Sequence, residues 1–407
     1  MKRRLAVQAI LSVPLTAVAA SALPRQTTQM IAKPYWVYFG TYTKPKGSRG
    51  LYRSLFDPET GDMSIPLLAA EIENPTFLAI SPGGDCLYAV SETSQSGPQG
   101  NEGTVYAFRI NKATGALTFL NSRPTAGAYP VYVSVNSTGR FAIVANYGGG
   151  SSAVFALQSD GSLGKLTDFK KHAGVPGPNA KRQESAHAHC AQFSVIDRVE
   201  YAYVVDLGLD QIFAYRLDER TGRLLPLVSP SLKLEAGSGP RHLAFSKSDH
   251  RAYVVGELNS TCTSLQSPPR SHGVIELVPS TGRHPNPLST LPIGVSPTLR
   301  QLNTSAEVLV HPSGRYVLVS NRGDDSLVVY SKLNGNLSTE GFIRSQPGRI
   351  IKTPRNFNFD PSGSWLFVAN QDGDSILFGK WQGVDTVFSQ NVVPLSSPVC
   401  VKFVEKS

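Results

Sequence analysis

Residues 305–329, SAEVLVHPSGRYVLVSNRGDDSLVV, and residues 354–378, PRNFNFDPSGSWLFVANQDGDSILF, are two copies of one pattern. They are offset by 49 residues, and both contain a Pro-Ser-Gly turn, an apolar run, an Asn and an Asp-Ser pair before a second apolar run. Fainter copies begin at Asn74, Tyr129 and Gly239. A repeat of this length that consists of short strands joined by tight turns is typical of a β-propeller blade.

Each unit begins at a proline or a small residue, which serves as an anchor for aligning the units. Seven anchors can be placed, at Pro75, Pro130, Ala188, Pro240, Ser305, Pro354 and Pro398. The last unit, residues 396–407, holds only one strand, whereas the strands at 36–43 and 50–58 lack a first partner. The sequence therefore predicts an all-β, seven-bladed propeller over residues 35–407, closed where the C-terminal strand joins the N-terminal strands.

The N-terminus has the pattern of a cleavable secretion signal over residues 1–22. Residues 2–4 are basic, residues 5–15 are mostly apolar, and Ala-Ser-Ala at 20–22 suits a cleavage site. We expect a secreted protein with residues 23–34 as a short linker, and an uncleaved membrane anchor is the alternative. Four Asn-x-Ser/Thr sequons would fit a secreted glycoprotein, at Asn136, Asn259, Asn303 and Asn336.

The chain is basic, with a formal net charge of +9 that becomes +6 if the three basic residues of the signal are removed. No run of Lys and Arg is interleaved with aromatic residues, so nucleic acid is not a predicted partner. A moderate positive charge suits a small anionic substrate, or simply a basic secreted protein.

The four cysteines could form disulfides in an oxidising compartment. The blade register places Cys86 and Cys400 on adjacent blades, and it does the same for Cys190 and Cys262. These two pairs are the predicted disulfides, and buried unpaired thiols are the alternative.

The first strand of each propeller blade lines the central channel, so equivalent positions in the blades form a ring. The residues that follow the anchors are Thr76, Val131, His189, Arg241, Ala306, Arg355 and Val399. Thr76 and the apolar members suit a strand, whereas His189, Arg241 and Arg355 would place one imidazole and two guanidiniums at one height in the channel.

A second ring is predicted at the ends of the second strands, which flank the same channel mouth. Its members are Glu92, Tyr147, Glu257, Arg322 and Gln371, with Leu207 and Tyr42 aligned less securely. Binding and catalytic groups gather where strand ends and loops meet on a rigid scaffold, so we expect the two rings to form a functional site. The alternative is that the charged members form structural ion pairs between blades.

No known catalytic or metal motif explains these residues. His187 and His189 are two apart on a strand and could share a metal, but no third ligand is evident beyond Glu184 in an uncertain loop. The chain has no GxSxG, HExxH or Walker pattern. The residues alone therefore predict no metal site.

Four segments together resemble the lactonase family of seven-bladed propellers, namely GPRHLAF (239–245), GELNS (256–260), GRYVLVSNRG (314–323) and TPRNFNFDPSG (353–363). That family includes bacterial 6-phosphogluconolactonase and the fungal carboxymuconate-lactonising enzyme, and the resemblance covers nearly the whole chain after Pro34. It implies cofactor-free catalysis by one His, two Arg and one Glu at the channel mouth. By motif, these catalytic residues correspond to His189, Arg241, Glu257 and Arg322.

The ring residues and the family resemblance together predict hydrolysis of a small anionic or polyhydroxylated lactone. Either His189 or Glu257 would be the base, Arg241 would stabilise the oxyanion, and Arg322 and Arg355 would clamp a carboxylate or phosphate. The predicted substrate-binding residues are Arg355, Glu92, Tyr147 and Gln371. We expect a monomer with no membrane attachment after signal cleavage.

Two other functions remain open on the same residues. A cycloisomerase would close a muconate-type diacid to a lactone by proton transfer, and it needs the same cations and acid–base group. A propeller without enzymatic activity could instead bind glycans or proteins through its faces. Secretion favours the hydrolase slightly, although 6-phosphogluconolactone and carboxymuconate are intracellular metabolites, so the natural substrate is open.

Overall fold

The computed structural model describes residues 33–97, 100–247, 249–267, 272, 274–277, 286–333 and 336–407. The predicted signal at 1–22 and most of the predicted linker lie outside these residues. The described residues form seven antiparallel sheets of four or five strands each. In the described part of the chain, no helix is long and apolar enough to cross a membrane.

Each sheet is one blade, and we number the blades from the N-terminus. The elements of blades 1 to 4 are β1 (Tyr35–Thr41), β2 (Gly50–Asp57), β3 (Asp62–Met63) and β4 (Leu67–Glu71); β5 (Phe77–Ile80), β6 (Cys86–Ser96), β7 (Glu102–Ile110) and β8 (Leu117–Pro124); β9 (Pro130–Val135), β10 (Phe141–Asn146), β11 (Ser151–Leu157) and β12 (Leu163–Lys171); and β13 (Ala188–Ile196), β14 (Val199–Asp206), β15 (Gln211–Asp218) and β16 (Arg223–Lys233).

Blades 5 to 7 follow in the same order, with one short helix before blade 6. Their elements are β17 (Pro240–Phe245), β18 (Arg251–Gly256), β19 (Thr261–Gln266), β20 (Glu276–Leu277) and β21 (Leu288–Ser289); α1 (Pro297–Leu302); β22 (Thr304–Val310), β23 (Tyr316–Arg322), β24 (Ser326–Leu333) and β25 (Asn336–Ile343); and β26 (Pro354–Phe359), β27 (Trp365–Asn370), β28 (Ser375–Lys380), β29 (Val387–Phe388) and β30 (Val393–Pro394). The last strand, β31 (Pro398–Glu405), belongs to blade 1.

The ring closes as the sequence predicted. Strand β31 pairs antiparallel with β1, from Tyr35 opposite Glu405 to Thr41 opposite Pro398. The innermost strands then contact one another around a complete circle, in the order β31, β5, β9, β13, β17, β22, β26 and back to β31. The seven-bladed propeller closed by the C-terminal strand is therefore confirmed, and closure leaves no innermost strand without a neighbour.

The Asn and Ser residues that recur in the repeat stabilise the turns at one end of the blades. The Asn and Ser of one unit bond across the turn between the second and third strands, because Asn321 Nδ2 donates to Ser326 Oγ at 3.3 Å. Asn370 and Ser375 make the same bond at 3.3 Å. These turns directly follow the second-ring positions, so the hydrogen bonds help to hold the second-ring residues in place.

The Asp that precedes the Ser ties each blade to the next one. Asp325 Oδ1 accepts a hydrogen bond from the Thr353 amide at 2.8 Å, and Asp374 Oδ1 accepts one from the Ser397 amide at 2.8 Å. Both donors directly precede an anchor proline and have a positive φ, at 50° and 46°. The aspartate therefore holds a strained residue that begins the following blade.

The predicted disulfides are wrong, because all four cysteines are buried free thiols. Cys86 packs against Gly161 of blade 3, whereas Cys400 packs against Gly40 of blade 1. Cys190 lies in the core between blades 4 and 5, and Cys262 lies in the core between blades 5 and 6. Cys190 and Cys262 thus lie on opposite sides of blade 5, and Cys86 on blade 2 faces blade 3 rather than blade 1, which carries Cys400.

Two of the four sequons cannot carry a glycan in the folded protein. Asn136 is fully buried and donates from Nδ2 to Glu200 Oε2 at 3.0 Å. Asn303 is 1% exposed and donates from Nδ2 to Ser260 Oγ at 2.9 Å. Glycosylation stays a prediction for Asn259 and Asn336 alone.

Candidate active site

Most members of the first predicted ring meet at one end of the channel. Six of the seven line a single narrow cleft, namely Thr76, Val131, His189, Arg241, Arg355 and Val399. The seventh, Ala306, joins them through its carbonyl oxygen, which accepts a hydrogen bond from Arg241 Nη1 at 2.8 Å. The alignment on the anchors therefore identified the lining of this channel mouth.

A β-bulge creates this ring. In blade 4 the pairing of β13 with β14 skips His189. The residues skipped in five other blades are Val131, Arg241 with His242, Ala306 with Glu307, Arg355, and Val399. A bulge bends its strand and changes the direction of a side chain, so the repeat presents one or two residues of each such blade to the channel.

The second ring is also placed as predicted. Its residues lie at the ends of the second strands, since Arg322 ends β23 and Glu257 directly follows β18. Tyr42, Tyr147, Leu207 and Gln371 each directly follow a second strand, and Glu92 lies within β6. Because β31 is the first strand of blade 1, β1 is its second strand, which explains why Tyr42 aligns with this ring.

Glu257 is the centre of the larger charged cluster. Its side chain is 3% exposed, and its carboxylate lies 2.7 Å from Arg182 Nη2, 3.0 Å from Arg241 Nε and 3.1 Å from Arg322 Nη2. Burial alone would raise its pKa, but the three guanidiniums outweigh burial and lower the pKa of Glu257 to about 2. Glu257 is therefore ionised at neutral pH and is a weak base.

Among the described residues, Arg241 is hydrogen-bonded through Nη1 alone, and its buried Nε lies at ion-pair distance from Glu257 without a hydrogen bond. Nη1 donates to Ala306 O and to His242 Nε2, at 2.8 and 3.2 Å, and Nε forms the ion pair with Glu257. Within the described part of the chain, Nη2 has no hydrogen-bond partner. Burial, then the charge of Arg322, lowers the pKa of Arg241. A guanidinium nonetheless stays protonated at neutral pH, so Nη2 is a fixed cationic donor at the mouth.

A smaller polar group connects blades 7, 1 and 2. Arg355 Nη2 donates to Tyr42 Oη at 3.0 Å, and its guanidinium lies 5.2 Å from the Tyr42 ring centroid. Tyr42 Oη donates in turn to both carboxylate oxygens of Glu92, at 3.0 and 2.8 Å. Burial raises the pKa of Tyr42 to about 12, so the phenol stays protonated. This group holds Arg355 beside the cleft that also contains His189 and Arg241.

His189 is the uncharged member of the site. It is 4% exposed, and its ring contacts Tyr147 and His242 edge to face, with centroids 5.6 and 5.2 Å away. Its Nδ1 is buried and has no hydrogen-bond partner among the described residues. Burial, then the charge of Arg241, holds the pKa of His189 well below its ordinary value. The imidazole is therefore neutral and able to accept a proton at neutral pH.

Sequence reasoning missed Arg182, the most exposed arginine of the cluster. Its side chain is 38% exposed, and it belongs to the segment between β12 and β13, which carries no repeat pattern. The neighbouring Gln183 fixes this segment, because its Nε2 donates to Leu207 O and to Asp210 Oδ1, both at 2.8 Å. An irregular segment offers no register for alignment, so nothing in the sequence pointed to Arg182.

Sequence reasoning also missed His242, Glu307 and Asn356. Alternation along a strand predicts that the residue after a channel-lining residue faces away from the channel. The bulges break this alternation, and all three side chains line the same cleft. The bulge could have been suspected from the polar residue that follows the ring position in each of these blades.

The contacts of Gln371 and His187 bear on two interpretations of the sequence. Gln371 lies at its predicted position, but its Nε2 donates to Asp372 Oδ1 at 3.1 Å, and no contact among the described residues joins it to the charged cluster. His187 is not available to a metal, because Nδ1 bonds to Tyr147 O at 3.0 Å and Nε2 to Glu184 Oε1 at 2.9 Å. The described residues contain no group of three or more His, Cys, Asp or Glu arranged to hold a metal.

Comparisons with known proteins give the same family. The family described as "Lactonase, 7-bladed beta-propeller" matches residues 36–403. The 6-phosphogluconolactonase of Bacillus subtilis is 34% identical over 383 residues, which cover 91% of this chain and 99% of that protein. The 6-phosphogluconolactonase of Formosa agariphila is 28% identical over 346 residues, which cover 84% of this chain and 91% of that protein.

A solved structure supports the same conclusion. The periplasmic gluconolactonase of Pseudomonas aeruginosa has a TM-score of 0.79 and 28% identity, and the match covers 92% of this chain and 100% of that chain. The similarities in sequence and in structure thus extend over nearly the whole propeller. The chain belongs to the lactonase family of seven-bladed β-propellers.

Proposed function

We propose that this protein is a secreted lactonase that hydrolyses a small sugar-type lactone without a metal or organic cofactor. The observation that carries the proposal is the pairing, in one cleft, of a neutral buried imidazole with a guanidinium that has an open Nη2. Ester hydrolysis needs these two groups, a base for water and a donor for the oxyanion. Relatives named 6-phosphogluconolactonase support the same reaction class.

In the proposed mechanism each group performs one step. His189 accepts a proton from water, and the resulting hydroxide adds to the lactone carbonyl carbon. Arg241 Nη2 stabilises the negative charge that develops on the carbonyl oxygen. When the tetrahedral intermediate collapses, the ring C–O bond breaks, and the leaving alkoxide takes the proton from His189. Glu257 is not the base in this scheme, because its pKa is about 2.

The charge of the site favours an anionic or polyhydroxylated substrate. Four guanidiniums, of Arg182, Arg241, Arg322 and Arg355, face three carboxylates, of Glu92, Glu257 and Glu307, so one positive charge is in excess. Arginine binds carboxylate and phosphate with two parallel hydrogen bonds, which suits the clamping role proposed for Arg322 and Arg355. Arg182 is the arginine most accessible to a distal phosphate, at 38% exposure.

The cellular location is part of the proposal. The basic and apolar start of the chain supports export, and the related Pseudomonas aeruginosa protein is named a periplasmic gluconolactonase. An exported enzyme would meet unphosphorylated sugar lactones, so we propose gluconolactone-type compounds as the natural substrate class. Phosphorylated lactones are the comparison that tests this choice.

The decisive experiment is a pH-stat assay of the mature protein with gluconolactone and with 6-phosphogluconolactone, after subtraction of spontaneous hydrolysis. We expect acid release above the background, unchanged by EDTA, and the better substrate shows whether a phosphate is bound. No acceleration on either lactone would reject the lactonase. Lactone formation from a muconate would then support the cycloisomerase, and its absence would favour a binding propeller.

The pH dependence follows from His189. The base acts only when it is deprotonated, and its pKa lies well below the ordinary 6.5, so kcat/KM should stay level as the pH falls through 6.5. The rate should decline only at more acidic pH, where the imidazole becomes protonated. The measurement is kcat/KM for gluconolactone between about pH 4 and 8. An acidic inflection at or above pH 6.5 would contradict the assignment of His189 as the base.

A further inference from the structure

A buried chain of three side chains lies beneath the channel mouth. Glu307 Oε1 lies 2.9 Å from His242 Nδ1, and His242 Nε2 lies 3.2 Å from Arg241 Nη1. Glu307 is 5% exposed, and His242 and Arg241 are each 3% exposed. In the catalytic scheme above only Arg241 touches the substrate, so the other two residues have no assigned role.

The chemistry of the three groups fixes where the protons are. A guanidinium can only donate hydrogen bonds, so His242 Nε2 accepts from Arg241 and carries no proton. The proton of the neutral ring therefore sits on Nδ1, which donates to the Glu307 carboxylate. Burial lowers the pKa of His242 to about 4, so the ring is neutral at the pH of the reaction. The hydrogen bonds of the three side chains thus run in one direction: Arg241 donates to His242, and His242 donates to Glu307.

The surroundings hold this chain in one conformation. The Asn356 side-chain amide donates to Glu307 Oε2, and the Val308 amide donates to Glu307 Oε1 at 3.1 Å. The His242 ring contacts Phe77 and Tyr132 edge to face, with centroids 5.6 and 5.2 Å away. These contacts leave the imidazole little freedom to turn away from Arg241.

Burial and two like charges oppose the charge of Arg241, so the carboxylates of Glu257 and Glu307 are needed to offset them. The guanidiniums of Arg322 and Arg355 both oppose its charge, and burial opposes it further. We infer that Glu307 and His242 are positioning residues that hold the Arg241 guanidinium so that Nη2 faces the substrate carbonyl; this inference rests on the proposed lactonase function. A misplacement of about 1 Å in a catalytic group can cost roughly a hundredfold in rate.

Two substitutions of His242 separate the effects of its two hydrogen bonds, one to Glu307 and one to Arg241. Asparagine in His242→Asn can replace the donor at Nδ1 but cannot reach Arg241, whereas glutamine in His242→Gln can supply an acceptor near the position of Nε2. We expect His242→Asn to lower kcat on gluconolactone by about 10- to 100-fold with little change in KM, and His242→Gln to recover part of the loss. His311→Asn is the matched control, because His311 is buried and hydrogen-bonded on both nitrogens to Ser313 and Gly363.

A double-substitution cycle distinguishes positioning from mere stabilisation. If His242 acts through Arg241, then adding His242→Asn to Arg241→Ala should lower kcat no further. A further loss in the double variant, or full kcat in His242→Asn alone, would overturn the inference. A wild-type protein that hydrolyses neither lactone would instead reject the proposed function, so the two failures are distinguishable.

A spectroscopic measurement tests these hydrogen bonds without an activity assay. The protein has eight histidines, so 15N labelling of histidine followed by NMR, with His242→Gln used for assignment, can report the His242 tautomer. We expect the Nδ1-protonated form in the wild type, and a change of tautomer or a mixture in Glu307→Gln. An Nε2-protonated ring in the wild type would overturn the inference, whatever the activity.

Discussion

Replacement of Arg241 with alanine is expected to lower kcat on the preferred lactone by roughly a hundredfold or more. The reason is that the variant loses the donor whose Nη2 is open at the mouth, while its Nη1 is hydrogen-bonded and its Nε is paired in charge with Glu257. Removal of a donor that binds the oxyanion mainly affects the transition state, so KM should change much less than kcat. Initial rates in the pH-stat over a range of lactone concentrations separate the two constants.

A conservative variant and a remote one sharpen this test. Arg241→Lys keeps the charge but loses the planar arrangement of donors, so it should recover only part of the rate. Arg223 is exposed at the start of β16 on the outer edge of blade 4, so Arg223→Ala should be as active as the wild type. Equal activity of Arg241→Ala and the wild type would show that the oxyanion is held elsewhere.

Replacement of Glu257 with glutamine is expected to lower the free energy of unfolding by about 3–5 kcal/mol. The substitution preserves shape but leaves the guanidiniums of Arg182, Arg241 and Arg322 without their shared counter-charge in a buried site. Activity should fall as well, since Arg241 loses one of its supports. Urea unfolding at neutral pH, followed by tryptophan fluorescence, measures the stability change.

The control for Glu257 is an exposed glutamate. Glu340 lies on the exposed outer strand β25, so Glu340→Gln should change the free energy of unfolding by less than about 0.5 kcal/mol. The pH dependence gives a second check, because the folded-state pKa of Glu257 is about 2 and its ordinary value is 4.5. Its contribution to stability is complete above pH 4.5 and is lost as the pH falls toward 2. Equal stability of Glu257→Gln and the wild type at neutral pH would contradict this account.

The sequence was sufficient for the blade count, the closure and the first ring, because the repeat supplies its own alignment. Once the anchors are superposed, residues as distant as His189 and Arg355 occupy equivalent positions, and the closed ring then brings them together. The same logic placed Glu257 and Arg322 at the ends of second strands. Because the units repeat, aligning them shows which residues that are distant in sequence lie close together in the fold.

The failures have equally specific causes. His242 and Glu307 were missed because successive side chains were expected to point to opposite faces of a strand, and a bulge interrupts this alternation. Arg182 comes from a segment outside the repeat, where no register exists. The disulfide prediction failed because adjacency of two blades does not specify which face of a blade a side chain occupies, and Cys190 and Cys262 lie in different cores.

In the ring of bulges, the residues that can carry functional groups are not those that pair the strands. Val131, Ala306 and Val399 occupy the same bulge position as His189 and Arg355, yet they carry no ionisable group. Val131 and Val399 also line the cleft, and because the sheet pairing skips these positions, a lineage can exchange them with little effect on the pairing of any blade. A family built on this plan can diversify its substrates by changing a few residues around one opening, and a designer seeking a new activity can begin at those unused places.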